Sequence, residues 1–552
     1  GRVRIDNTHS EYEGKLYASS SNTLTDGSTQ GHYTVNNGQY SQTYADVLVN
    51  INKRIQDFTI VANIGASYSG VTSKELGYAG PIRETGIPNL FNVYDLDNAK
   101  KRATQVGWRE ATESVFASAE VGWKSMLYLT VTGRNDWASQ LTHSPQASFF
   151  YPSVGLSAVI TEMLKLPDWV DYLKVRGSFS SVGNPYPRFL TYPTYSYDAN
   201  KQDWKSQTNY PIGKLYPERT DSWEIGLDAT LFKDFKLSGS FYYANTYNQT
   251  FDPRLPVSSG YDKLYVQTGY VRNYGFEAML SYGHRWGDFS WDSSFTFSAN
   301  KNEIVELVKD YVHPETGKTY NVDKLELKTD EGRGFGKAKF ILKEGGTLGD
   351  LYTHADLKRD INGNILIDDS GNVTAIDNAG DIKLGSVLPK ANLAWNNSFS
   401  YKGINAGFLL TARLGGIVYS ATQAYLDLYG VSETSAAARD AGGVWVNGRS
   451  RVNPQSFYEV VASQSGLPTY YTYSATNLRL QEAHIGYTIP RRWLGNVCDI
   501  NVSLVGRNLW MIYCKAPFDP EAVATTNNYY QGIDYFMMPS TRNIGFNIKI
   551  NF

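Results

Sequence analysis

The sequence has few of the residues and patterns that mark several large classes of protein. It contains two cysteines and seven histidines among 552 residues, and its formal net charge is −2. It has no run of about 18 apolar residues, which a transmembrane helix requires. A net charge this close to zero gives no general attraction to nucleic acid. These absences exclude a membrane-spanning helix and lead us to expect no nucleic-acid partner.

The two cysteines are predicted to be unpaired. Cys498 and Cys514 flank a single predicted strand, and at about 3.3 Å per residue the ends of that strand lie roughly 50 Å apart. A disulfide needs Cα atoms within about 7 Å of each other. Neither cysteine has a second cysteine or a histidine at metal-ligand spacing.

Sequence motifs of catalysis are also missing. The histidines are scattered, without the HExxH pattern of zinc proteases, and no G-x-S-x-G motif occurs. The Gly-rich stretches do not follow the strand–loop–helix order of a phosphate-binding loop. We therefore predict that the protein is not an enzyme and that it needs no cofactor.

The sequence does not begin with a signal peptide. Its first residues, "GRVRIDNTHSEY", already alternate like a strand. We expect either that the N-terminus was processed or that this sequence is part of a longer protein.

The composition is rich in aromatic residues and in glycine. Aromatic residues make up 14% of the chain, with 41 Tyr, and there are 49 Gly. The mean hydropathy of −0.39 is modest. A transmembrane β-barrel is compatible with such an average, because the half of each strand that faces the lumen is polar.

Strict alternation of apolar and polar residues recurs along the chain. In the last segment, "TRNIGFNIKINF", the residues Phe546, Ile548, Ile550 and Phe552 alternate with polar residues and glycine. The segments "WEIGLDATL" (223–231) and "INAGFLLTARL" (404–414) have the same period of two. This period predicts half-buried strands. Repeated so often, it indicates a wall with lipid on one side and water on the other.

We predict about 16 or 17 strands of an all-β, antiparallel transmembrane β-barrel. Their approximate ranges are 1–8, 42–55, 57–70, 108–123, 125–137, 148–161, 171–182, 218–232, 235–250, 268–284, 288–302, 336–346, 391–402, 404–418, 471–489, 498–512 and 541–552.

The connections between these strands alternate between short and long. Short ones lie near 52–57, 122–126, 232–235, 284–289 and 401–404, and the long loops are predicted at 70–107, 182–215, 250–266, 303–335, 346–390, 418–470 and 513–540. Outer-membrane barrels have short turns on one side and long extracellular loops on the other. We therefore treat residues 1–552 as one barrel-forming domain with extracellular loops.

An ordered set of segments resembles the C-terminal, barrel-forming part of the SusC/RagA-type TonB-dependent outer-membrane transporters of Bacteroidetes. The segments, which extend over nearly the whole chain, are "VTGRNDWAS" (131–139), "FFYPSVGLSAVITE" (149–162), "LKVRGSFSSVGNP" (173–185), "LYPERTDSWEIGLDATLF" (215–232), "LGSVLPKANLAWNNSFSYKG" (384–403), "NLRLQEAHIGYTIPRRWL" (477–494), "VSLVGRNLWMI" (502–512) and "TRNIGFNIKINF" (541–552).

The resemblance implies a 22-strand barrel in the bacterial outer membrane, with a plug domain and a TonB box ahead of it. It also implies two partners, the TonB complex and a SusD-like surface lipoprotein that acts as a lid. This chain shows no plug and too few strands, so the plug and the first strands are expected upstream. The final strand is expected to need a pairing partner from that missing N-terminal half.

The resemblance also makes the apolar, aromatic end of the chain look like a signal for barrel assembly. The residues of this expected signal are Phe546, Ile548, Ile550 and Phe552. Their apolar face is expected to contact outer-membrane lipid. Deletion of Phe552 is predicted to impair assembly rather than transport.

Two further groups of residues are candidates for binding. Loop tyrosines could stack on sugar rings or on peptide side chains, and the candidates are Tyr192, Tyr195, Tyr197, Tyr470 and Tyr471. Asp360, Asn362 and Asn364 have the alternating spacing of a calcium loop, but the positions of Gly and the final Glu do not match an EF-hand. The alternative for this acidic stretch is a solvated loop whose turns favour Asp, Asn and Gly.

The leading hypothesis is TonB-dependent import of an oligomeric nutrient, with a glycan as the expected cargo and an oligopeptide as the alternative. A second hypothesis keeps the fold but makes the protein a passive porin. A third is a soluble, surface-exposed β-rich binding protein. The sequence does not distinguish oligosaccharide from peptide, because aromatic and Asn-rich loops suit both.

Overall fold

A computed structural model gives the fold. It describes residues 1–190, 195–198, 203–205, 209–210, 215–251, 263–264, 266–312, 317, 319–327, 336–524 and 531–551. Sixteen long strands form one sheet, in which each strand is hydrogen-bonded to the next one along the chain. The predicted number of strands is therefore confirmed. Among the described residues, no helix has the length and apolar content needed to cross a membrane.

The sixteen strands are numbered in chain order. They are β1 (Arg2–Leu16), β2 (His32–Ile55), β3 (Phe58–Pro81), β4 (Arg102–Trp123), β5 (Leu127–Ala138), β6 (Ser148–Val159), β7 (Val170–Asn184), β8 (Glu218–Leu231), β9 (Phe235–Phe251), β10 (Val266–Trp286), β11 (Phe289–Glu306), β12 (Ala391–Tyr401), β13 (Ile404–Leu414), β14 (Asn477–Ile489), β15 (Asp499–Cys514) and β16 (Asn543–Asn551).

The chain divides into two compact units. The first comprises Gly1–Leu156, Phe179–Asp221 and Asn248–Gln267, and the second comprises Ser157–Ser178, Ser222–Tyr247 and Thr268–Phe552.

Long antiparallel hairpins dominate the first unit. Strands β2 and β3 pair without interruption from Ile55 opposite Phe58 to His32 opposite Pro81. Strands β3 and β4 pair from Phe58 opposite Trp123 to Ala79 opposite Arg102. The predicted loop at 70–107 is therefore wrong, since only residues 82–101 connect the two strands. The apolar alternation fades beyond residue 70, but backbone pairing continues to Pro81.

In the second unit, the register brings like residues together on each face of the sheet. Ile500, Val502 and Leu504 lie opposite Ile550, Ile548 and Phe546. On the other face, Asn501 lies opposite Lys549 and Ser503 opposite Asn547. The predicted two-faced terminal strand is thus confirmed. Such patterns fix the register of a sheet. Here the register places the apolar residues of the two strands together on one face.

The main hydrophobic core of the second unit lies in its loops and not in its sheet. It is built from residues of three connections, 336–390, 415–476 and 531–536, which we call the loop module. Phe340, Leu351, Tyr419 and Val461 are among its fully or almost fully buried members. Apolar residues of the strands are instead exposed, for example Phe546 at 78%.

The loop module contains short strands and helices, most of which lie where the sequence predicted loops. The helices, numbered with the short α1 (Ile160–Met163), are α2 (Ala421–Leu428), α3 (Glu433–Asp440) and α4 (Pro454–Val461). The strands in this part of the chain are Val308–Val312, Thr319–Val322, Lys324–Leu327, Ala338–Lys343, Asp350–Thr353, Asp356–Leu357, Ala375–Ile376, Ile382–Ser386, Ile417–Ser420, Val444–Val446, Ser450–Val452, Thr472–Ser474 and Ile533–Asp534. Ser420, Ser432 and Asn453 cap the three longer helices with side-chain oxygens.

Two predicted barrel strands are corrected. The segment at 336–346 forms Ala338–Lys343, which lies in a separate four-stranded sheet. Its Phe340, Ile341 and Leu342 are all fully buried, so its run of apolar residues marks a core and not one face of a wall. The segment at 471–489 also divides, because Thr472–Ser474 pairs with Ile417–Tyr419 and only Asn477–Ile489 joins the large sheet.

Four further short strands lie outside the long ones, the loop module and the segment 308–327. They are Ser196–Asp198, Asp203–Lys205, Asn209–Tyr210 and Lys263–Leu264. The first two pair as a hairpin, with Tyr197 opposite Trp204. Both cysteines are free, as predicted.

Candidate functional site

The polar face of the second unit carries a row of side chains that crosses five strands. Cross-strand pairing places Glu277 opposite Ser298 and Ser298 opposite Asn392. It continues with Asn392 opposite Arg413 and Arg413 opposite Asn477. Directly opposed residues in a sheet have side chains within contact range. The register alone therefore assembles a polar row, with a carboxylate near one end and a guanidinium near the other.

A cavity of about 630 Å³ lies along this row. Its lining also includes Ser238 and Ser240 of β9, Arg176 of β7, Thr296 of β11 and Glu521 of the loop after β15. Most of the polar lining residues carry hydroxyl or amide groups, and two cations and two anions lie among them. Such a lining can hydrogen-bond a polar ligand and can also orient a charged one.

Arg176 is held in place by two acidic residues of β8. Its Nη1 donates to Asp228 at 3.0 Å and its Nη2 to Glu224 at 3.2 Å. The intervening residue, Gly226, makes room for this arrangement. A Cβ at that position would lie 2.6 Å from the guanidinium carbon, so the arginine can lie across the strand only over a glycine.

Arg413 has no such acidic partner. Its Nη2 donates to the backbone oxygen of Val387 at 2.7 Å, and its Nε is buried without a hydrogen-bond partner. Among the described residues, no carboxylate forms an ion pair with it. Glu521, which lines the same cavity, attracts Arg413 electrostatically without forming an ion pair. A cation with no direct ion pair at a cavity wall is suited to bind an anionic or strongly hydrogen-bonding group of a ligand.

Arg479 binds the loop whose Glu521 lines the cavity. Its Nη2 donates to Asp519 at 2.7 Å and lies 3.2 Å from Glu521. Its Nη1 donates to Asn508 at 3.2 Å. Burial raises the pKa of Asp519, but the hydrogen bonds from Arg479 and from the Glu521 N–H outweigh it and hold the pKa below its usual range.

The tyrosines singled out from the sequence occupy different environments. Tyr192 lies outside the described residues. Tyr195 and Tyr197 are exposed, and the ring of Tyr197 meets Trp204 edge-on with ring centres 5.3 Å apart. These rings offer free faces for stacking.

Tyr470 and Tyr471 belong to the loop module. Tyr470 packs against its core, and Tyr471 is 2% exposed. The Tyr471 hydroxyl donates to Asp427 at 3.0 Å, and burial raises its pKa far above the usual value. The prediction that Tyr471 contacts a ligand is therefore wrong, because its side chain is part of the core.

Asp360 caps a turn of its own loop. One of its carboxylate oxygens accepts from the N–H groups of Asn362 and Asn364, both at 2.8 Å, and the other accepts from the Asn364 side chain at 3.0 Å. The hydrogen bonds from Asn364 lower the pKa of Asp360. Asp368 caps a second turn in the same way. In the described part of the chain, no group of three or more His, Cys, Asp or Glu side chains is arranged to hold a metal ion.

The expected assembly residues lie on the apolar face of β16. Phe546, Ile548 and Ile550 are exposed there, whereas Phe552 lies outside the described residues. Their position suits contact with lipid, and their role in assembly stays a prediction.

The sequence reading missed the polar row, Arg413 and Arg479. Alternation identified the strands that carry them. It did not show which residues lie opposite each other, because register depends on pairings between distant segments. The only local signal for Arg413 as a site residue was its position at a strand end next to a Gly-Gly turn, in "ARLGG" (412–416).

Comparisons with known proteins agree with this fold. A family model described as "TonB dependent receptor-like, beta-barrel" matches residues 2–509. TonB-dependent receptor P3 of Formosa agariphila is 24% identical over 524 residues, which are 88% of this chain and 50% of that protein. TonB-dependent receptor SusC of Bacteroides thetaiotaomicron is 24% identical over 433 residues, or 72% of this chain and 40% of that protein.

A solved structure of the RagAB peptide transporter has the same fold. The TM-score is 0.73 at 17% sequence identity, over 100% of this chain and 59% of that one. The chain thus spans about half the length of the curated relatives it matches.

The two-faced sheet, the long loops and the match to the family model define an outer-membrane β-barrel protein. The chain belongs to the TonB-dependent receptor-like β-barrel family. The resemblance to SusC/RagA-type transporters is confirmed, as are the all-β barrel fold class and the outer-membrane location. The family is one of transporters and not of enzymes.

Proposed function

We propose that the protein takes part in TonB-dependent import of an oligomeric nutrient across the outer membrane. The observation that carries this proposal is the polar row from Glu277 to Asn477 with the cavity of about 630 Å³ along it. A continuous polar lining on one face, with lipid-compatible residues on the other, is what passage of a hydrophilic oligomer requires.

We infer that the cargo is a glycan. Three members of the row, Ser298, Asn392 and Asn477, carry neutral hydroxyl or amide groups, which match sugar hydroxyls as donors and acceptors. Exposed rings such as Tyr197 and Trp204 provide planes on which pyranose rings can stack.

An oligopeptide is the second candidate, and a specific observation favours it. Glu277 and Arg413 are three strand spacings apart in the row, which is roughly 14 Å at about 4.8 Å per spacing. An extended peptide of about four residues covers a similar length. The amino and carboxyl termini of such a peptide would meet the opposite charges.

The proposed partners follow from the SusC/RagA resemblance. They are the TonB complex as the source of energy, a plug domain and barrel strands from the N-terminal half, and a SusD-like lipoprotein over the extracellular mouth. The loop module, with its own hydrophobic core, offers a folded surface to such a lid.

Uptake by a strain that lacks the gene tests the proposal. The strain is complemented with the parent gene, with Arg413→Gln, or with Lys358→Gln, a control that removes an exposed cation of the loop module. Growth and uptake of labelled oligomers are measured on a panel of neutral glycans and of tetrapeptides. For the tetrapeptides, whose carboxyl terminus is charged, loss of the Arg413 cation should reduce uptake about tenfold. The reason is that a charge-assisted hydrogen bond contributes roughly 1.5–3 kcal/mol.

The outcomes separate the candidates. A growth defect of the deletion strain confined to glycans, together with little effect of Arg413→Gln on glycan uptake, supports the glycan. A growth defect of the deletion strain confined to peptides, together with reduced peptide uptake in Arg413→Gln but not in Lys358→Gln, supports the peptide. Uptake that persists in a strain without TonB, together with a stable open conductance of the purified protein, would show a porin and refute active import.

A further inference from the structure

Strands β1 to β4 of the first unit carry a polar surface beyond the part of their sheet that has an apolar face. The register places Thr8 and Ser73 on either side of Tyr40. It also places Trp108 opposite Ser73. Directly opposed residues have side chains on the same face of a sheet and within contact range. These four residues therefore form one row across four strands.

Two more rows lie beside the first on the same face, because alternate residues of a strand point to the same side. The next row is Ser10, Gly38 and Glu75, and the one after it is Tyr12, Asn36 and Gly77. We call the surface formed by Thr8, Ser10, Tyr12, Asn36, Tyr40 and Ser73 the tyrosine platform. All six residues line a cavity of about 310 Å³.

Two glycines make room for polar side chains of the platform to lie flat. A Cβ at Gly38 would collide with the Ser10 Oγ, and a Cβ at Gly77 would collide with the Asn36 Oδ1. The Ser10 hydroxyl and the Asn36 amide thus occupy the space over the neighbouring strand that a side chain would otherwise fill. A flat surface with polar groups along it allows the face of a ligand ring to approach closely.

Two tyrosine rings of the platform are open to solvent. Tyr12 and Tyr40 are both exposed. The ring of Tyr40 meets Trp108 edge-on, with ring centres 6.4 Å apart. Arg188 covers Trp108, with its guanidinium carbon 3.7 Å from the ring centre, and forms an ion pair with Glu110. Trp108 therefore supports Tyr40 from the side, while Tyr12 and Tyr40 keep faces on which a ligand can stack.

The two tyrosines are spaced for an oligomer. Asn36, the residue opposite Tyr12, lies four positions from Tyr40 on β2, which is roughly 13 Å at about 3.3 Å per residue. A single sugar ring is shorter than this distance. One ligand that contacts both tyrosines must therefore contain several units.

The chemistry of the platform favours a neutral, hydroxyl-rich ligand. Its six residues are uncharged, and their hydroxyl and amide groups can both donate and accept hydrogen bonds. Glu75 adds a carboxylate that can accept from ligand hydroxyls. Glu11, Gln39 and Lys74 also line the cavity, but they alternate with platform residues, so their side chains leave from the other face. Flat rings with neutral hydrogen-bonding groups match a sugar chain better than the charged termini of a peptide.

The platform belongs to the polar face of the first unit. Tyr40 and Asn50 are an even number of positions apart on β2, which pairs with β3 without a register shift, so both side chains lie on one face. Asn50 donates to Asn63 at 2.6 Å, and Asn63 donates to Ser118 at 3.1 Å. An oligomer on the platform is thus on the same side of the sheet as these hydrogen-bonded polar residues.

We propose that the tyrosine platform binds a neutral oligosaccharide and is a capture site for the glycan cargo. This inference rests on the proposed function, because it takes a glycan as the cargo. Tyr12 and Tyr40 stack on two rings of the sugar chain. Ser10, Asn36 and Glu75 form hydrogen bonds with its hydroxyl groups.

Calorimetric binding to the purified full-length protein tests this proposal. The probes are neutral hexasaccharides of α-1,4-glucose, β-1,4-glucose, β-1,4-mannose and β-1,4-xylose, together with tetra-alanine. The test variant combines Tyr12→Ala and Tyr40→Ala. The matched control is Tyr94→Ala, which removes an exposed tyrosine of the same unit outside the platform. A heat-dependent shift in gel mobility checks that each variant is folded.

The parent and the control should bind at least one hexasaccharide, and the test variant should bind it at least about tenfold more weakly, since each stacking contact contributes about three- to tenfold. In the uptake assay, the test variant should raise the glycan concentration for half-maximal uptake by a similar factor and leave the maximal rate unchanged. Hydroxyl-radical footprinting of the parent needs no variant, and the bound hexasaccharide should protect Tyr12 and Tyr40 but not Tyr94.

The proposal is overturned if no hexasaccharide binds the parent, or if tetra-alanine alone binds and is lost in the test variant. Equal hexasaccharide binding by the parent and the test variant also overturns it. If glycan uptake is still TonB-dependent in that case, the proposed function stands and only the platform is refuted. Glycan uptake that does not depend on TonB refutes the proposed function instead, whatever the platform binds.

Discussion

Arg479 and Asp519 are forty positions apart in the chain, and their side chains meet at 2.7 Å in a place where both are almost buried. This pair joins the start of β14 to the loop that follows β15. Glu521 in the same loop lines the cavity of about 630 Å³. The pair therefore connects the stability of a loop to the shape of the candidate site.

Replacement of Arg479 by methionine should release this loop. Removal of one partner leaves the buried carboxylate of Asp519 without its cation, which typically costs about 3 kcal/mol. Hydrogen exchange of the amides at 515–524 should become faster by at least tenfold. The control Arg439→Met, at an exposed position that hydrogen-bonds the Gly430 carbonyl, should leave that exchange unchanged. Unchanged exchange in Arg479→Met would mean that the loop is held by other contacts.

Acid should weaken the same loop. The pKa of Asp519 in the folded protein lies below its usual range, while the unfolded value is about 3.9. A lowered folded pKa contributes stability above the unfolded pKa, and this contribution is lost as the pH falls through the folded pKa. Protection of residues 515–524, corrected for intrinsic exchange, should be constant from pH 7 to about 5 and should decline below about 4. In Asp519→Asn this decline should disappear, and a decline of the same size in that variant would contradict the assignment.

Gly466 is predicted to be essential for folding of the loop module. Its φ is +90°, and a Cβ there would lie 2.5 Å from the Tyr471 ring and 2.7 Å from Ala424. Gly466→Ala should destabilise the module by about 3 kcal/mol, from overpacking and backbone strain together. Gly448→Ala separates the two causes, because φ is +65° there and no atom lies within 4 Å. Gly448→Ala should lower the stability of the loop module by only about 1 kcal/mol. Limited proteolysis across a temperature series measures both variants.

Tyr471→Phe distinguishes a core role from a ligand role. The variant removes the hydroxyl that donates to the buried Asp427, which keeps the donors Gln423 and Ser432. A buried acceptor that loses a donor costs about 1–2 kcal/mol. We expect a less stable module with uptake unchanged at low temperature. Tyr429→Phe, at a 74% exposed position, should change neither property. A loss of uptake at full module stability would restore Tyr471 as a ligand contact.

Much of the barrel portion could be predicted from local pattern. The alternation in β16 predicted an apolar face that includes Phe546, Ile548 and Ile550, and the register places all three on one face, opposite Leu504, Val502 and Ile500. Short turns such as the one at 401–404 were also located correctly. Both signals are local, because alternation follows from strand geometry and turn residues act over a few positions.

The loop module could not be predicted in the same way. Phe340 and Tyr419 are buried together although they are far apart in the chain. The apolar run around Phe340 looked like a barrel strand because burial in a core and burial against lipid use the same residues. The short helices of the module depend on that packing for stability, since isolated helices of eight residues are marginal in water.

The sequence by itself determined which face of each long strand is apolar and where many of the strands turn, because both follow from the period of two and from turn chemistry. The tertiary structure decided which residues lie opposite each other, and only that register places Glu277, Asn392 and Arg413 in one row. It also decided that Tyr471 belongs to a core and that Arg479 meets Asp519. These relationships join segments tens to hundreds of residues apart, and only chain folding brings such segments into contact.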